Sequence, residues 1–407
     1  MDSKKIKNML YCSKIITALF IGASFLSFAQ VSNAEDSKYE FTKIYRLDNT
    51  PVESQGNTGT CWSFSALSFL ESELIRQGKR KPSELSEMYI VRKAYELKAD
   101  KFIRMDGKIN FGEGGAFHDI PLVIKNFGIV PKELYNSNLK DGKAYDHSAL
   151  FSEINEFIQK LLSTASSPKG LDLSWKQEYN AILDKNFGAD LQKFKWEGKT
   201  YSPKTYAESI GLVMDNYISL TSFTNHTMHE KCLLEIPDNW AWGESYNVQL
   251  EELFSACETA LKNGYTVAWG ADVSEKGFSF KNGIALVPEN TDAIQVEGKD
   301  NKNFNNAGAD RISNAFLNPT KEAKITHEIR QYAYDNKTTT DDHGMHIVGL
   351  YQDQSGTKFF LVKNSWGTSN FPKGYLYVSE EYFKFKTINI YIHKDALSSE
   401  LKGKLKL

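Results

Sequence analysis

The feature that most constrains this chain is residues 55–66, Gln-Gly-Asn-Thr-Gly-Thr-Cys-Trp-Ser-Phe-Ser-Ala, in which a cysteine stands at the start of a predicted helix. Apolar residues follow Cys61 at three- and four-residue intervals, and Gly78 provides a C-terminal stop. Cys61 therefore lies in the first turn, where unpaired N–H groups and the helix dipole favour a thiolate. Taken alone, the segment is equally compatible with Cys61 as a small buried hydrophobe.

Two segments near the other end of the chain favour the chemical interpretation. Residues 341–350 read Asp-Asp-His-Gly-Met-His-Ile-Val-Gly-Leu, and residues 358–367 read Lys-Phe-Phe-Leu-Val-Lys-Asn-Ser-Trp-Gly. They predict a histidine entering an apolar strand and a second strand that ends in Asn-Ser-Trp-Gly. Thiol acyl transfer needs a base beside the thiolate and an amide to orient the imidazole, so a Cys, a His and an Asn fit that reaction.

With these motifs, the chain from about residue 40 to about residue 398 resembles the papain-fold cysteine peptidases, and among them the bleomycin hydrolase and aminopeptidase C branch. The resemblance implies that Cys61 is the nucleophile, His343 the base and Asn364 the orienting amide. It also implies that Gln55 donates to the oxyanion and that Trp366 shields the His–Asn pair from water. The amide of Gln55 and the backbone N–H of Cys61 are chemically suited to hold a tetrahedral oxyanion.

His346 competes with His343 for the role of base, because both lie in the same predicted strand. Side chains along a strand alternate between its faces, so an offset of three residues points these two histidines in opposite directions. The family pattern places the base before a small residue and then an apolar one, which Gly344 and Met345 match. We therefore predict His343 as the base and His346 as a structural histidine.

Gly114 and Gly115 follow Glu113 in a turn-like context, and paired glycines permit close backbone approach. The resemblance places them where the family binds the substrate main chain, and the alternative is an ordinary turn. A second motif, His226, His229 and Cys232, has ligand-type side chains but no evident fourth ligand. No metal and no cofactor are predicted.

The predicted fold class is α+β, a papain-like two-lobed fold with a helical lobe that presents Cys61 and an antiparallel, barrel-like lobe that presents His343. The interval between these residues is roughly twice the ~130–150 residues typical of papain. A large helical insertion is therefore expected at about residues 130–330, with one apolar face from Leu150 to Leu162 and another from Leu250 to Leu261. Cys257 falls on the second face, so core burial is favoured over a disulfide with Cys232.

The N-terminus carries four lysines and then an apolar stretch from Ile15 to Ala29, the pattern of a secretory signal. We expect residues 1–29 to be a signal peptide and residues 30–407 to be the peptidase domain of an exported protein, periplasmic or secreted. Cleavage after Ala34 and an uncleaved anchor are the alternatives. With a net charge of −2 and no basic stripe, the chain has no electrostatic footprint for nucleic acid.

The expected partners are peptide or protein substrates, without stable membrane insertion once the signal is removed; the sequence leaves open whether the chain is a homo-oligomer. Bleomycin hydrolases restrict cleavage to N-termini with a C-terminal arm whose carboxylate meets the substrate amine. Residues 394–407 are short and lysine-rich, so that arm is expected to be missing or reduced. We predict an aminopeptidase. The alternatives are an endopeptidase with an open cleft and a catalytically silent peptide-binding protein on the same fold. A thiol oxidoreductase is disfavoured because no Cys-x-x-Cys occurs.

Overall fold

A computed structural model of the chain describes residues 31–78, 84–137, 144–165, 170–297 and 310–407. The predicted signal peptide, residues 1–29, lies outside these residues. Within them, no helix is both long and apolar enough to cross a membrane. The helices are α1 (Cys61–Arg76), α2 (Glu87–Arg104), α3 (Asp119–Phe127), α4 (Ser148–Ala165), α5 (Trp175–Phe187), α6 (Pro203–Ile210), α7 (Leu250–Lys262), α8 (His327–Asp335), α9 (Glu380–Lys386) and α10 (Ser399–Leu405).

The strands alternate with these helices and concentrate in the second half of the chain. They are β1 (Thr42–Arg46), β2 (Phe194–Trp196), β3 (Lys199–Tyr201), β4 (Tyr217–Thr221), β5 (Lys231–Leu233), β6 (Glu244–Asn247), β7 (Val267–Ala271), β8 (Phe278–Ser279), β9 (Ile284–Ala285), β10 (Gln295–Glu297), β11 (Asp310–Ile312), β12 (His343–Gln352), β13 (Lys358–Lys363), β14 (Tyr375–Ser379) and β15 (Thr387–His393). The predicted helices at Cys61, Leu150 and Leu250 and the predicted strand at His343 are confirmed.

One large sheet organises the structure, in the order β5-β6-β4-β15-β7-β12-β13-β14-β9-β8. Its pairs are antiparallel except β4 with β6 and β14 with β9. The central strand β12 pairs with β7 along its first half and with β1 along its second half. Every residue of β12 before Gln352 is buried, which explains its nearly continuous apolar sequence.

Two hydrophobic cores cover the two faces of this sheet. Alternating side chains of β7 separate them, since Ala268 belongs to the core formed by α1 to α6 and Trp269 to the core formed with α7, α9 and α10. Leu67 and Leu70 of α1 are fully buried in the first core. Burial of such a side chain contributes about 1.5–3 kcal/mol. α1 is thereby held against the sheet, where it contacts β12 and β7.

The α+β class and the papain-like architecture agree with this arrangement. The segment at about residues 130–330, predicted as a helical insertion, contains α4 to α8 together with β2 to β11 in its described parts. Its helices α4 and α5 pack beside α2 in the first core, while α7 packs under the sheet. The cleft between the helices and the sheet lies where α1 meets the start of β12.

Candidate active site

The first residue of α1, Cys61, lies against the start of β12, whose first residue is His343. These are the two residues that the sequence predicts as nucleophile and base. Gly344 donates its backbone N–H to Cys61 Sγ at 3.4 Å. A Cβ on Gly344 would lie 2.7 Å from Ser65 Oγ and 3.3 Å from Trp62 Cα, so only glycine lets α1 approach this closely. Because Gly344 follows His343, the start of α1 can lie close to His343.

His343 and Asn364 are joined by a short hydrogen bond, as the sequence predicts for a base and its orienting amide. His343 Nε2 lies 2.7 Å from Asn364 Oδ1, and both side chains are buried. The register of β12 and β13 pairs His346 with Lys363, which brings the residue after β13 close to the start of β12. The indole of Trp366 lies over the imidazole, with 4.5 Å between ring centroids, and is itself buried.

The hydrogen bonds around Asn364 fix the tautomer of the neutral imidazole. The same Oδ1 accepts the backbone N–H of Ser365 at 2.7 Å, so this atom must be the amide oxygen and not the nitrogen. His343 Nε2 then carries the proton and donates it. Its other nitrogen, Nδ1, is left as an acceptor, and it is buried without a hydrogen-bond partner among the described residues.

Burial opposes an isolated charge on either reactive group. It raises the pKa of the Cys61 thiol to about 12, against the lowering effect of the Gly344 N–H and with smaller raising effects of Asp238 and Asp341. It lowers the pKa of the His343 imidazole to about 4, although the bond to Asn364 acts in the opposite direction. A thiolate at Cys61 at neutral pH therefore requires a proton acceptor, and His343 lines the same pocket as Cys61.

Gln55 lies in the segment before α1 and is fully buried. Its Oε1 accepts the Ser365 hydroxyl at 2.7 Å, and its Nε2 donates to the carbonyl oxygen of Thr58 at 2.7 Å. Gln55 thereby connects the segment before α1 to the residue after Asn364. A role in holding an oxyanion stays a prediction.

Gly114 and Gly115 line the same pocket as Cys61 and His343. Lys98 of α2 supports this loop from below, because its buried ammonium donates to the carbonyl oxygens of Gly112 and Gly114. Trp62 Nε1 donates to the Glu113 carbonyl at 3.2 Å, and Glu113 accepts the Gly59 N–H at 2.8 Å. The loop is thus fixed to both α1 and α2.

Sequence reasoning missed Lys98. Its burial could have been predicted, since Lys98 lies three residues after Tyr95 and four before Phe102, which is the spacing of the buried face of α2. A lysine on such a face requires buried acceptors. Burial lowers its pKa, while the carboxylates of Asp119, Asp238 and Glu113 raise it.

His346 points to a second, separate pocket, as strand alternation predicts. Its Nδ1 lies 2.9 Å from Ser68 Oγ of α1, and burial holds its pKa well below the usual range. Lys363 donates to the same hydroxyl at 2.8 Å and to the carbonyl oxygen of Thr50 at 2.7 Å. This network holds Lys363, the residue before Asn364, and of the two histidines only His343 lines the pocket that contains Cys61.

The remaining candidate ligands have other contacts. His229 lies 2.7 Å from Glu252 of α7, and His226 lies 3.4 Å from Glu235. Cys232 is half-buried and Cys257 fully buried, and both are free thiols, so the expected core burial of Cys257 is confirmed.

Comparison with known proteins assigns the chain to a family. The model of the Peptidase C1-like family matches residues 16–406. Aminopeptidase G of Lactobacillus delbrueckii subsp. lactis is 23% identical over 400 residues, covering 88% of this chain and 85% of that protein. Aminopeptidase W of the same organism is 24% identical over 427 residues, covering 93% and 89%.

A solved structure agrees at the level of the fold. PepW from Lactobacillus rhamnosis HN001 superposes with a TM-score of 0.69 at 20% identity, covering 90% of this chain and 84% of that one. The family match extends over nearly the whole chain, and the described helices and sheet have the papain-like arrangement. The chain belongs to the Peptidase C1-like family and is a papain-like cysteine peptidase.

Proposed function

We propose that the chain is a cysteine aminopeptidase that hydrolyses peptide bonds through Cys61, His343 and Asn364. One observation carries the proposal: the buried, unpartnered Nδ1 of His343 and the sulfur of Cys61 belong to one pocket, while Nε2 of the same imidazole is held by Asn364. The names of the relatives, aminopeptidases G, W and C, support the class of substrate.

In the proposed reaction, His343 Nδ1 takes the thiol proton as the sulfur bonds to the substrate carbonyl carbon. The carbonyl electrons move to oxygen, where the backbone N–H of Cys61 and the amide of Gln55 stabilise the charge. The C–N bond then breaks and the imidazolium protonates the leaving amine. Water, deprotonated by His343, attacks the thioester and releases the acid and the free thiol. Asn364 and Trp366 keep the imidazole in position throughout.

A Gln55→Ala variant should fold and lose turnover by about 10²- to 10³-fold, the usual cost of one oxyanion donor. The lost acceptor for Ser365 should also reduce stability by about 1–3 kcal/mol, so a melting curve must accompany the kinetics. Ser365→Ala is the matched control, because it removes the same hydrogen bond and keeps the donor. Equal kcat values for Gln55→Ala and Ser365→Ala would rule out the oxyanion role.

Aminopeptidase action is tested with paired peptides of the same sequence that bear a free or an acetylated N-terminus. The reaction is followed with a thiol reductant present and absent. We expect cleavage of the free peptide only, one residue at a time from its N-terminus. Internal cleavage of both peptides would replace this proposal with an endopeptidase.

The endopeptidase is the second candidate, and the position of α10 favours it. Leu401 and Leu405 of α10 are buried in the core with α7, and Lys404 contacts Glu252 at 2.7 Å. None of the residues 394–407 lines the Cys61 pocket. Residues 394–407 therefore do not restrict this pocket to substrates with a free N-terminus.

We also propose that the protein is exported, on the basis of the lysine-rich and apolar pattern of residues 1–29. Fractionation of the producing cells followed by N-terminal mass analysis tests this. The expected first residue is Gln30, and an intact Met1 on cytosolic protein would contradict export.

A further inference from the structure

Asp238 extends across the rim of the cleft, from the segment between β5 and β6. Asn110 donates to its Oδ1 at 2.7 Å. A Cβ added to Gly114 would lie only 1.9 Å from Asp238 Oδ2, so the carboxylate rests directly on the glycine backbone. The predicted substrate-binding loop is therefore covered at this point by an acidic side chain.

The pocket that contains Cys61 has an acidic lining. Asp238, Asp341 and Asp342 all line it, and no lysine or arginine is found among the described residues that do so. The charges of Asp238 and Asp341 both raise the pKa of the Cys61 thiol, which places their negative potential at the sulfur. A nearby cation is Lys98, whose pKa is lowered by burial, while the charge of Asp238 acts in the opposite direction. Its ammonium donates hydrogen bonds to the backbone carbonyls of Gly112 and Gly114.

The three acidic residues differ in how they are used. Asp342 accepts the backbone N–H of Ser274 at 3.1 Å and the Thr340 hydroxyl at 2.7 Å, so it organises the turn before β12. Asp238 is half-buried, and it lines the pocket from the segment between β5 and β6. Of these carboxylates, it is Asp238 that touches the glycine loop.

A second feature of the same pocket indicates that it receives a ligand. The imidazole of His343 is only 3% exposed, and its Nδ1 has no hydrogen-bond partner among the described residues. Buried polar atoms without a partner are rare and each requires an explanation, of which a catalytic role is one. A ligand that reaches this nitrogen would lie between the sulfur of Cys61, the glycine loop and the carboxylate of Asp238, since all of these line one pocket.

We propose that Asp238 binds the α-ammonium group of the substrate's first residue and thereby selects peptides with a free N-terminus. This inference rests on the proposed aminopeptidase function and supplies its specificity. An ammonium forms a charge-assisted hydrogen bond with a carboxylate, whereas an acetylated N-terminus offers no charge and adds bulk where Asp238 covers Gly114. The carboxylate of Asp238 would then attract a free α-ammonium group and sterically exclude an acetylated N-terminus.

The test compares wild-type protein with Asp238→Asn, which keeps the size of the side chain and removes its charge. Three substrates share one scissile bond and differ in the first residue, which bears a free amine, an acetylated amine or a hydrogen in place of the amine. We expect Asp238→Asn to lower kcat/KM for the free-amine substrate by about 10- to 100-fold. The rate with the des-amino substrate should change by less than about threefold.

Asp341→Asn is the matched control, since it removes a charge from the same pocket, whereas the atoms nearest to a Cβ on Gly114 all belong to Asp238. An equal loss in both variants would contradict the assignment to Asp238, as would an unchanged free-amine rate in Asp238→Asn. Wild-type protein that cleaves all three substrates equally would overturn both the aminopeptidase function and this inference. Selectivity for the free amine that survives in Asp238→Asn would overturn the inference alone.

Discussion

A Cys61→Ala variant should retain its fold and lose peptide hydrolysis by at least about 10⁴-fold. Removal of a catalytic nucleophile typically costs on the order of 10⁶ in turnover, and the residual activity comes from binding and oxyanion stabilisation. Stability should change little, because the alanine keeps the Cβ at the first position of α1 and loses only the contact of Sγ with the Gly344 N–H. Single-turnover kinetics and a melting curve measure the two effects.

Cys257→Ala is the matched control for this change. Cys257 lies fully buried in α7, far along the chain from the cleft, so its substitution should leave turnover intact and lower stability through a small cavity. If hydrolysis survives in Cys61→Ala and is lost in Cys257→Ala, another thiol is the nucleophile.

A His343→Gln variant should lose nearly as much activity as Cys61→Ala, and the double variant should be no worse than either single one. Residues that act as one unit show this non-additivity, because the thiol cannot be deprotonated without its base. Glutamine keeps a polar group beside Asn364, which limits the structural disturbance. The measurement is kcat/KM for the three variants with one fluorogenic peptide.

His346→Gln separates the two histidines. His346 contacts Ser68 in the other pocket, so its substitution should affect stability more than turnover. A loss of activity confined to His346→Gln, with His343→Gln still active, would reverse the assignment of the base.

Much of the site was predictable because its chemistry is local in the sequence. The helix that starts at Cys61, the strand that starts at His343 and the Asn-Ser-Trp-Gly motif each depend on spacing within about fifteen residues, and the structure brings all three together. Strand alternation predicted that His343 and His346 point to opposite sides, because that rule depends only on the backbone, and the resemblance to the family selected His343 as the base.

Other parts of the site depend on contacts that spacing does not encode. Asp238 comes from a segment without clear periodicity, and only the tertiary structure places its carboxylate on Gly114. From the sequence, Gly344 was only the small residue that follows the predicted base. In the structure, its lack of a side chain allows α1 to pack closely against β12. The burial of Lys98 could be predicted from the helical spacing of α2. Its acceptors could not, because they are backbone carbonyls of a loop, and the position of a loop cannot be read from periodicity.

The pH dependence of Cys61 alkylation measures whether His343 takes the proton of the Cys61 thiol. Iodoacetamide labelling is followed by mass analysis of the Cys61 peptide from pH 5 to pH 9, in wild-type protein and in His343→Gln, with Cys232 and Cys257 as internal comparisons. An isolated Cys61 thiol, with its pKa raised to about 12, reacts tenfold faster for each pH unit. When His343 accepts that proton, the thiolate and the imidazolium stabilise each other, and the population of this pair does not change with pH between the two macroscopic pKa values of the couple.

We expect a nearly flat wild-type profile and a steep one in His343→Gln, with rates at pH 6 that differ by at least about 10²-fold. Identical steep profiles in both proteins would show that His343 does not take the proton of Cys61.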